Sequence, residues 1–344
     1  MPPRLQQPFY YGNKYLIIFN IIKLGFLSQG QVCLIKCIQD QWYFLIISIS
    51  MHPQSKLYFQ KTNHHASLRF LFVISLILFN GYLINLENTY QNFFILAQSL
   101  LLISLFAPLH ECSHSTAFKS KLLNQLVMFF CGMVHLMPSI WFREFHMQHH
   151  RHTQDTEKDP ELGTEHPKTI GSYIFLITGI KIWIDLVNNF FRLFSGNANE
   201  SYINKHNTKK IVIEVRIIIV IYLLLFFISF NLNNGILLYA WIIPMIIGQP
   251  FLRLFLLAEH GFCDLTTDMT KNSRTTKTNF LVCFFMWNMN YHAEHHSSPG
   301  IPFHKLQEYQ KIIEHKVKFK ELGYFNFHKK YLMHLLNQKD FCQI

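Results

Sequence analysis

Charge is what this chain has least of. Asp, Glu, Lys and Arg together make up 15% of its 344 residues, against 50% hydrophobic residues and 34 Phe. An average soluble domain carries about 25% charged residues, so a disordered chain is excluded and a bilayer is the expected solvent. Acid is scarcer than base: 20 Asp plus Glu stand against 31 Lys plus Arg, a formal charge of +11 before the 20 His are counted. The seven Cys, at 33, 37, 112, 131, 263, 283 and 342, are odd in number and form no CxxC pair. They read as reduced thiols facing the cytoplasm rather than as a disulfide framework. Internal repeats of solenoid length, heptad arrays and low-complexity tracts are lacking.

The apolar residues are grouped into runs near the length of about 20 residues that a bilayer requires. Leu71 to Leu86 and Phe93 to Leu109 are separated only by the polar stretch 87–92, and Ile217 to Phe230 and Ile236 to Leu257 only by Asn231 to Gly235. Each pair predicts a helical hairpin. Neither turn contains Lys or Arg; the basic residues lie before residue 70, between 110 and 216, and after Arg253. Positive-inside bias therefore places those three regions in the cytoplasm.

Two further apolar stretches are weighed as spans and set aside. Leu126 to Val134 is short and bounded by Asn124, Gln125, His135 and Pro138, the pattern of a re-entrant or buried helix. Ile170 to Phe194 carries Lys181, Asp185, Asn188 and Arg192 at spacings of three and four, a polar stripe that predicts a helix lying in the membrane surface. The expected fold is thus an all-α, multi-pass integral membrane protein, with four transmembrane helices in two hairpins, interfacial helices and a cytoplasmic His-rich cap. Tyr15 to Leu34 is apolar but broken by Lys23, Gly25, Ser28, Gly30 and Gln31, and lacks a secretory cleavage site. It reads either as an additional partial membrane segment or, with Met51 as the natural start, as part of a stretch that gene-start assignment placed ahead of the protein.

Nine of the 20 His fall in four places: His110 and His114 in HECSH, His146, His149 and His150 in HMQHH, His260 in AEHG, and His292, His295 and His296 in HAEHH. On a helix, i+4 lies about 40° to one side of i and i+3 about 60° to the other, so each cluster projects from one face. His152, six residues after His146, points away from that arc. One HxxxH is an ordinary occurrence; three clusters, each at the cytoplasmic end of a span or interfacial segment, indicate a metal site. Nine rings exceed one ion and imply two metals, whose identity imidazole does not fix, since it suits Zn, Cu, Fe and Ni. Glu111, Glu259 and Glu294, inside the clusters, are expected to hold the far ring nitrogens; Asp155, Asp159 and Glu161 are equally placed for that role or for plain solvation.

HECSH, WFREFHMQHHRHTQDTEKDPEL, AEHG, RTT at Arg274 to Thr276, and WNMNYHAEHHSSPGIPFHKL resemble the membrane fatty-acid desaturase superfamily over about residues 67–310. The division that follows is an N-terminal segment 1–66, a desaturase-like membrane domain 67–310 and a cytoplasmic tail 311–344. The resemblance implies two irons held by His110, His114, His146, His149, His150, His260, His292, His295 and His296. It also implies dioxygen as oxidant, a lipid acyl chain as substrate and a carbon–carbon double bond as product. Some acyl desaturases place an Asn one turn before the additional His to hold a metal-bound water; here that position is Leu256, with Asn288 or Asn290 as substitutes. No fused haem domain is recognisable, so a separate ferredoxin or cytochrome is the expected electron donor, with Arg253 and Arg274 as candidate contacts for it or for an anionic head. No nucleic acid partner is expected. The rival readings are a related hydroxylase or ketolase acting on a carotenoid, alkane or sphingolipid, an HExxH zinc protease with Glu111 as base, and a metal transporter.

Overall fold

Among the described residues of the computed structural model, four helices are long and apolar enough to cross a membrane: His64–Asn85, Gln91–Ser113, Lys205–Asn231 and Leu238–His260. The structure describes residues 57–86, 89–163 and 166–337, and Tyr58 onward forms one compact unit. The readings placed on Tyr15 to Leu34 and on Met51 lie outside the described residues. Each of the four helices covers all, or all but one or two residues, of one apolar run anticipated from sequence. Helix α1 is His64–Asn85; the second run divides into α2 (Gln91–Ser104) and α3 (Phe106–Ser113).

Two bent pairs would raise the count of spans to six. The first, α4 (Lys121–Val134) and α5 (Ser139–His152), turns by 97°. Ser120 caps α4 by accepting from Leu123 N, and Pro138 precedes α5, where a helix from α4 cannot continue. The second pair corrects the single surface helix expected over Ile170 to Phe194: the structure has α6 (Ile170–Thr178) and α7 (Ile180–Phe194), bent by 51°. Gly179 makes the break with φ +70°, and a Cβ there would lie 2.3 Å from Gln249 Cγ. Helix α8 is Lys205–Asn231, capped by Asn204; a π turn at Leu238–Ile242 leads into α9 (Ile243–His260).

Buried amides tie the apolar helices together. Asn80 Nδ2 donates to Phe94 O and Gln98 Oε1, while Gln98 Nε2 reaches Ala240 O at 3.0 Å, so one side chain of α2 bonds both neighbours. Helix α2 packs most extensively on α9, where Gly248 lets the backbone at Ser99 come close. Asn234 Nδ2 donates to Asn85 Oδ1, bringing the two Lys/Arg-free turns side by side.

A small parallel ladder, absent from the all-α expectation, joins β1 (Arg274–Lys277) to β2 (Phe319–Leu322). Four-residue strands are too short to show a period-2 pattern. Short helices α10 (Phe280–Phe285), α11 (His292–Ser297) and α12 (Leu306–Ile313) follow β1, and α13 (Tyr324–Asn337) packs against α9 and α6. Residues 311–337 are thereby joined to the helical body.

Candidate metal centre

All nine histidines singled out from sequence come together. His110, His114, His146, His150 and His295 form one group and His149, His260, His292 and His296 a second, with the candidate ligand atoms in each group within 4.8 Å of one another. Helical geometry explains the partition. Within α5 the i, i+4 pair His146 and His150 enters the first group, and the i+3 ring, about 100° away from the i+4 ring, enters the second. The third cluster does the reverse: His292 and His296 join the second group and His295 the first. His110 and His114, at the end of α3, complete one group; His260, the last residue of α9, completes the other.

Proton bookkeeping shows what such groups require. A neutral imidazole has one N–H and one lone pair. His149 Nδ1 lies 2.9 Å from Asp159 Oδ1 and His260 Nδ1 lies 2.9 Å from Asn272 O, both acceptors, so these Nδ1 atoms carry the protons and the Nε2 atoms present lone pairs. His292 Nε2 sits 2.9 Å from His260 Nε2, with His292 Nδ1 turned to Glu259 Oε1 at 3.3 Å. In the first group, His146 Nε2 faces His114 Nε2 at 2.9 Å and His150 Nε2 at 3.0 Å, and His295 Nε2 faces the same two at 3.1 and 3.2 Å. Four contacts around four nitrogens cannot all be N–H to lone-pair bonds without a donor serving two partners. Both nitrogens of His110, and Nε2 of His149 and His296, are buried with no hydrogen-bond partner. Convergent imidazole lone pairs fit transition-metal ions.

Burial also holds the rings in the ligating form. It pushes His295 down to about 3 and His292 and His296 well below the usual imidazole value, with neighbouring His adding to the effect. His149 moves the other way: burial opposes its charge, but the Glu161 and Asp159 carboxylates outweigh that and raise it.

Of the three carboxylates inside the clusters, Glu111 and Glu294 do not take the places given them in sequence, whereas Glu259 does. Glu111 accepts from Thr116 Oγ1 at 2.7 Å and Phe303 N at 3.0 Å, and Glu294 from Thr275 Oγ1 at 2.6 Å. One and two residues from a ring on a helix, they point off the ligand face and bond threonine hydroxyls and, for Glu111, the backbone of Phe303 instead. Glu259 does meet a ring, as do Asp159 and Glu161, whose Oε1 is 3.4 Å from His146 Nδ1. Asp155 pairs with His152 and Lys158, outside both groups. With Glu111 tied to Thr116 and Phe303, the protease reading loses its base.

Arg274 is buried, donates to Ala258 O and lies over the Phe327 ring, so it is not a docking contact. Asn288 Nδ2 donates to Phe303 O and Asn290 Nδ2 to Thr276 O. Three contributors escaped the sequence reading. Glu214, a lone acid ahead of an apolar run, accepts from Ser139 N, Ser139 Oγ and Ile140 N and so caps the helix that bears HMQHH. Asn272 fixes the tautomer of His260, and Thr153 Oγ1 lies 3.2 Å from His296 Nδ1.

A cavity of about 440 Å³ opens beside both groups. His110, His146, His149, His260 and His292 form one wall; Phe106, Met137, Phe142, Leu186, Leu256 and Leu257 supply apolar surface, and Arg253, Asn189, Arg192 and Glu200 add polar groups.

The described residues thus combine four to six apolar candidate spans with two polyhistidine groups that could each hold a metal ion. The sequence profile of the family described as fatty acid desaturase matches residues 89–328, and the chain belongs to that family. Among curated proteins it is 26% identical to a sphingolipid delta(4)-desaturase of Drosophila melanogaster over 61% of this chain and 62% of that protein. It is 27% identical to a dihydrorhizobitoxine desaturase of Bradyrhizobium elkanii (59% and 62%) and 26% identical to a sphingolipid delta(4)-desaturase-like protein of Arabidopsis thaliana (62% and 60%). The aligned region spans about three fifths of the length of these relatives.

Proposed function

We propose that the protein is an oxygen-dependent membrane lipid desaturase, with two iron ions held by the nine histidines. The observation that carries this reading is the sorting of nine rings, seven of them buried, into sets of five and four with candidate ligand atoms converging. Two irons would supply the oxidant that unactivated methylenes require, with dioxygen as acceptor and two electrons delivered by a separate ferredoxin or cytochrome, yielding the alkene and water. The chain's own residues bind, orient and exclude. Asp159 and Asn272 hold His149 and His260 in the tautomer that turns Nε2 inward. Phe106, Phe142 and Leu256 line the cavity beside the rings, so an alkyl chain there would be held in a water-poor slot next to the reacting centre.

The setting is a bilayer. Large apolar side chains such as Leu71, Phe72, Phe79, Leu223, Phe226 and Phe230 face outward from α1 and α8, an arrangement suited to lipid. In this reading the two hairpins dip in and return, the turns at 86–90 and Asn231–Gly235 lie on the far side, and the His groups lie on the cytoplasmic side. Metal analysis of purified protein tests the centre: two irons per chain are expected. His149→Ala and His295→Ala, one in each group, are each expected to lose iron and activity together, and retained activity in either variant overturns the assignment. Lipid profiling of a host lacking the activity distinguishes new double bonds from hydroxylated or ketone products.

A further inference from the structure

Helix α13 has three sectors where a surface helix usually has two. Counted from Phe325 at about 100° per residue, Leu336, Lys329 and Met333 fall within about 80°. Asn326 and Lys330 follow at about 100° and 140°, and Phe327, Tyr331 and His328 between about 200° and 300°. The last sector is the docked one. Phe327 and Tyr331 are buried, Tyr331 Oη donates to Pro167 O at 2.9 Å, and His328 accepts from Tyr173 Oη on Nδ1 and donates to Leu254 O from Nε2. The first sector stands open: Phe325 is 80% exposed, Leu336 69%, and Met333 is exposed as well. A helix with only water outside would carry polar groups there.

Two observations say what covers the open sector. Position is the first. On α9, Ile247 and Phe251 are exposed in line with Leu254, all three within about 60°, and Leu254 O is the atom that His328 bonds. Helix α13 therefore docks about 4.5 Å along the axis beyond the outward apolar stripe of a candidate span, and α6 beside it turns Ile174 and Phe175 outward. Charge is the second. Residues 311–337 hold six Lys against two Glu, and Lys329 stands exposed inside the apolar sector. A lysine so placed keeps its stem on apolar surface and its ammonium among headgroups. An anionic leaflet complements the excess charge of the segment.

We infer that α13 lies in the cytoplasmic surface of the membrane, with Phe325, Met333 and Leu336 sunk among the acyl chains of an anionic leaflet and Asn326 and Lys330 turned to water. The inference rests on the bilayer setting proposed above and not on the reaction. Through its contacts with α9 and α6, the helix then ties the end of the described chain to the lipid surface.

Depth-dependent quenching tests it. Full-length protein lacking its other cysteines would carry Phe325→Cys, Leu336→Cys, Asn326→Cys or, on α8, Phe226→Cys, each labelled with a fluorophore and placed in vesicles that contain anionic phospholipid. Melting temperatures matching the parent show that the labelled proteins are folded. Lipids brominated on the acyl chains are expected to quench the probes at Phe325 and Leu336 strongly and the probe at Asn326, one position away, weakly. Replacing the anionic lipid by a neutral one is expected to weaken quenching at Phe325 and Leu336 and leave Phe226 unchanged. Weak quenching at all three α13 positions beside strong quenching at Phe226 overturns the proposal and leaves the bilayer setting standing. Probes at Phe325 and Leu336 that escape both brominated lipid and a water-soluble quencher also overturn it, because protein, from this chain or a second copy, then covers the face. Quenching indifferent to lipid charge overturns the anionic partner. An unquenched probe at Phe226 overturns the bilayer setting itself, and the inference with it.

Discussion

At the scale of the residue, the decisive feature is which side chain reaches a ring nitrogen. Asp159→Asn leaves His149 without its carboxylate partner and is expected to lower metal affinity by about 10- to 100-fold. Glu111→Gln, whose carboxylate braces Thr116 and Phe303, is expected to retain full iron and to register only as lowered thermal stability. Metal titration of the two variants checks both. Protonation provides a second residue-level test on metal-free protein. His295 at about 3, with His292 and His296 also depressed, binds fewer protons folded than unfolded, where an imidazole titrates near 6.5. Stability from these rings is therefore complete above about pH 6.5 and falls as pH drops towards 3; thermal melts of stripped protein across that range are expected to show a falling Tm. Eight of the nine rings were legible in sequence because i, i+3 and i+4 spacing is itself the structural signal, while His260 was legible from its place just past the last apolar run. Most of their carboxylate partners were not: Asp159 lies in the segment after α5, and only the fold shows that it reaches His149 while Glu111 turns away.

At the scale of the element, the second histidine cluster depends on a helix whose N-terminus is held by a side chain 75 residues away. Glu214 of α8 takes both Ser139 N and Ile140 N, so it fixes where α5 begins and hence where His146, His149 and His150 point. Glu214→Leu strands buried donors and is expected to cost about 1–3 kcal/mol, with loss of iron, whereas Glu214→Gln, which keeps one acceptor, is expected to retain part of the metal. Iron stoichiometry set beside the melting temperature separates misplacement of the cluster from general unfolding. The apolar runs were readable because hydropathy marks spans without knowledge of packing. The breaks were harder to read. Gly179 divides the stretch anticipated as one surface helix because its left-handed φ and its closeness to Gln249 suit only glycine, a tertiary requirement no periodicity contains.

At the scale of the whole molecule, all the chemistry depends on the parity of crossings. His114 and His146 belong to stretches on either side of α4, and their Nε2 atoms are 2.9 Å apart. Had α4 crossed the bilayer alone, a hydrocarbon core of about 30 Å would separate them. In the proposed four-span arrangement, the 97° turn between α4 and α5 would let an apolar helix enter the packed interior while the chain returns to its starting side. The contact of Asn234 with Asn85 closes the argument from the other end, since both Lys/Arg-free turns meet there. A topology experiment follows. In sealed vesicles of each orientation, Asn234→Cys and Lys158→Cys, each in a background lacking the other cysteines, are expected to react with a membrane-impermeant maleimide from opposite faces, with Lys158→Cys labelled from the cytoplasmic face. Labelling of both from one face would require a further complete crossing, assign one bent pair to the bilayer as a span, and remove the cytoplasmic placement of the histidines.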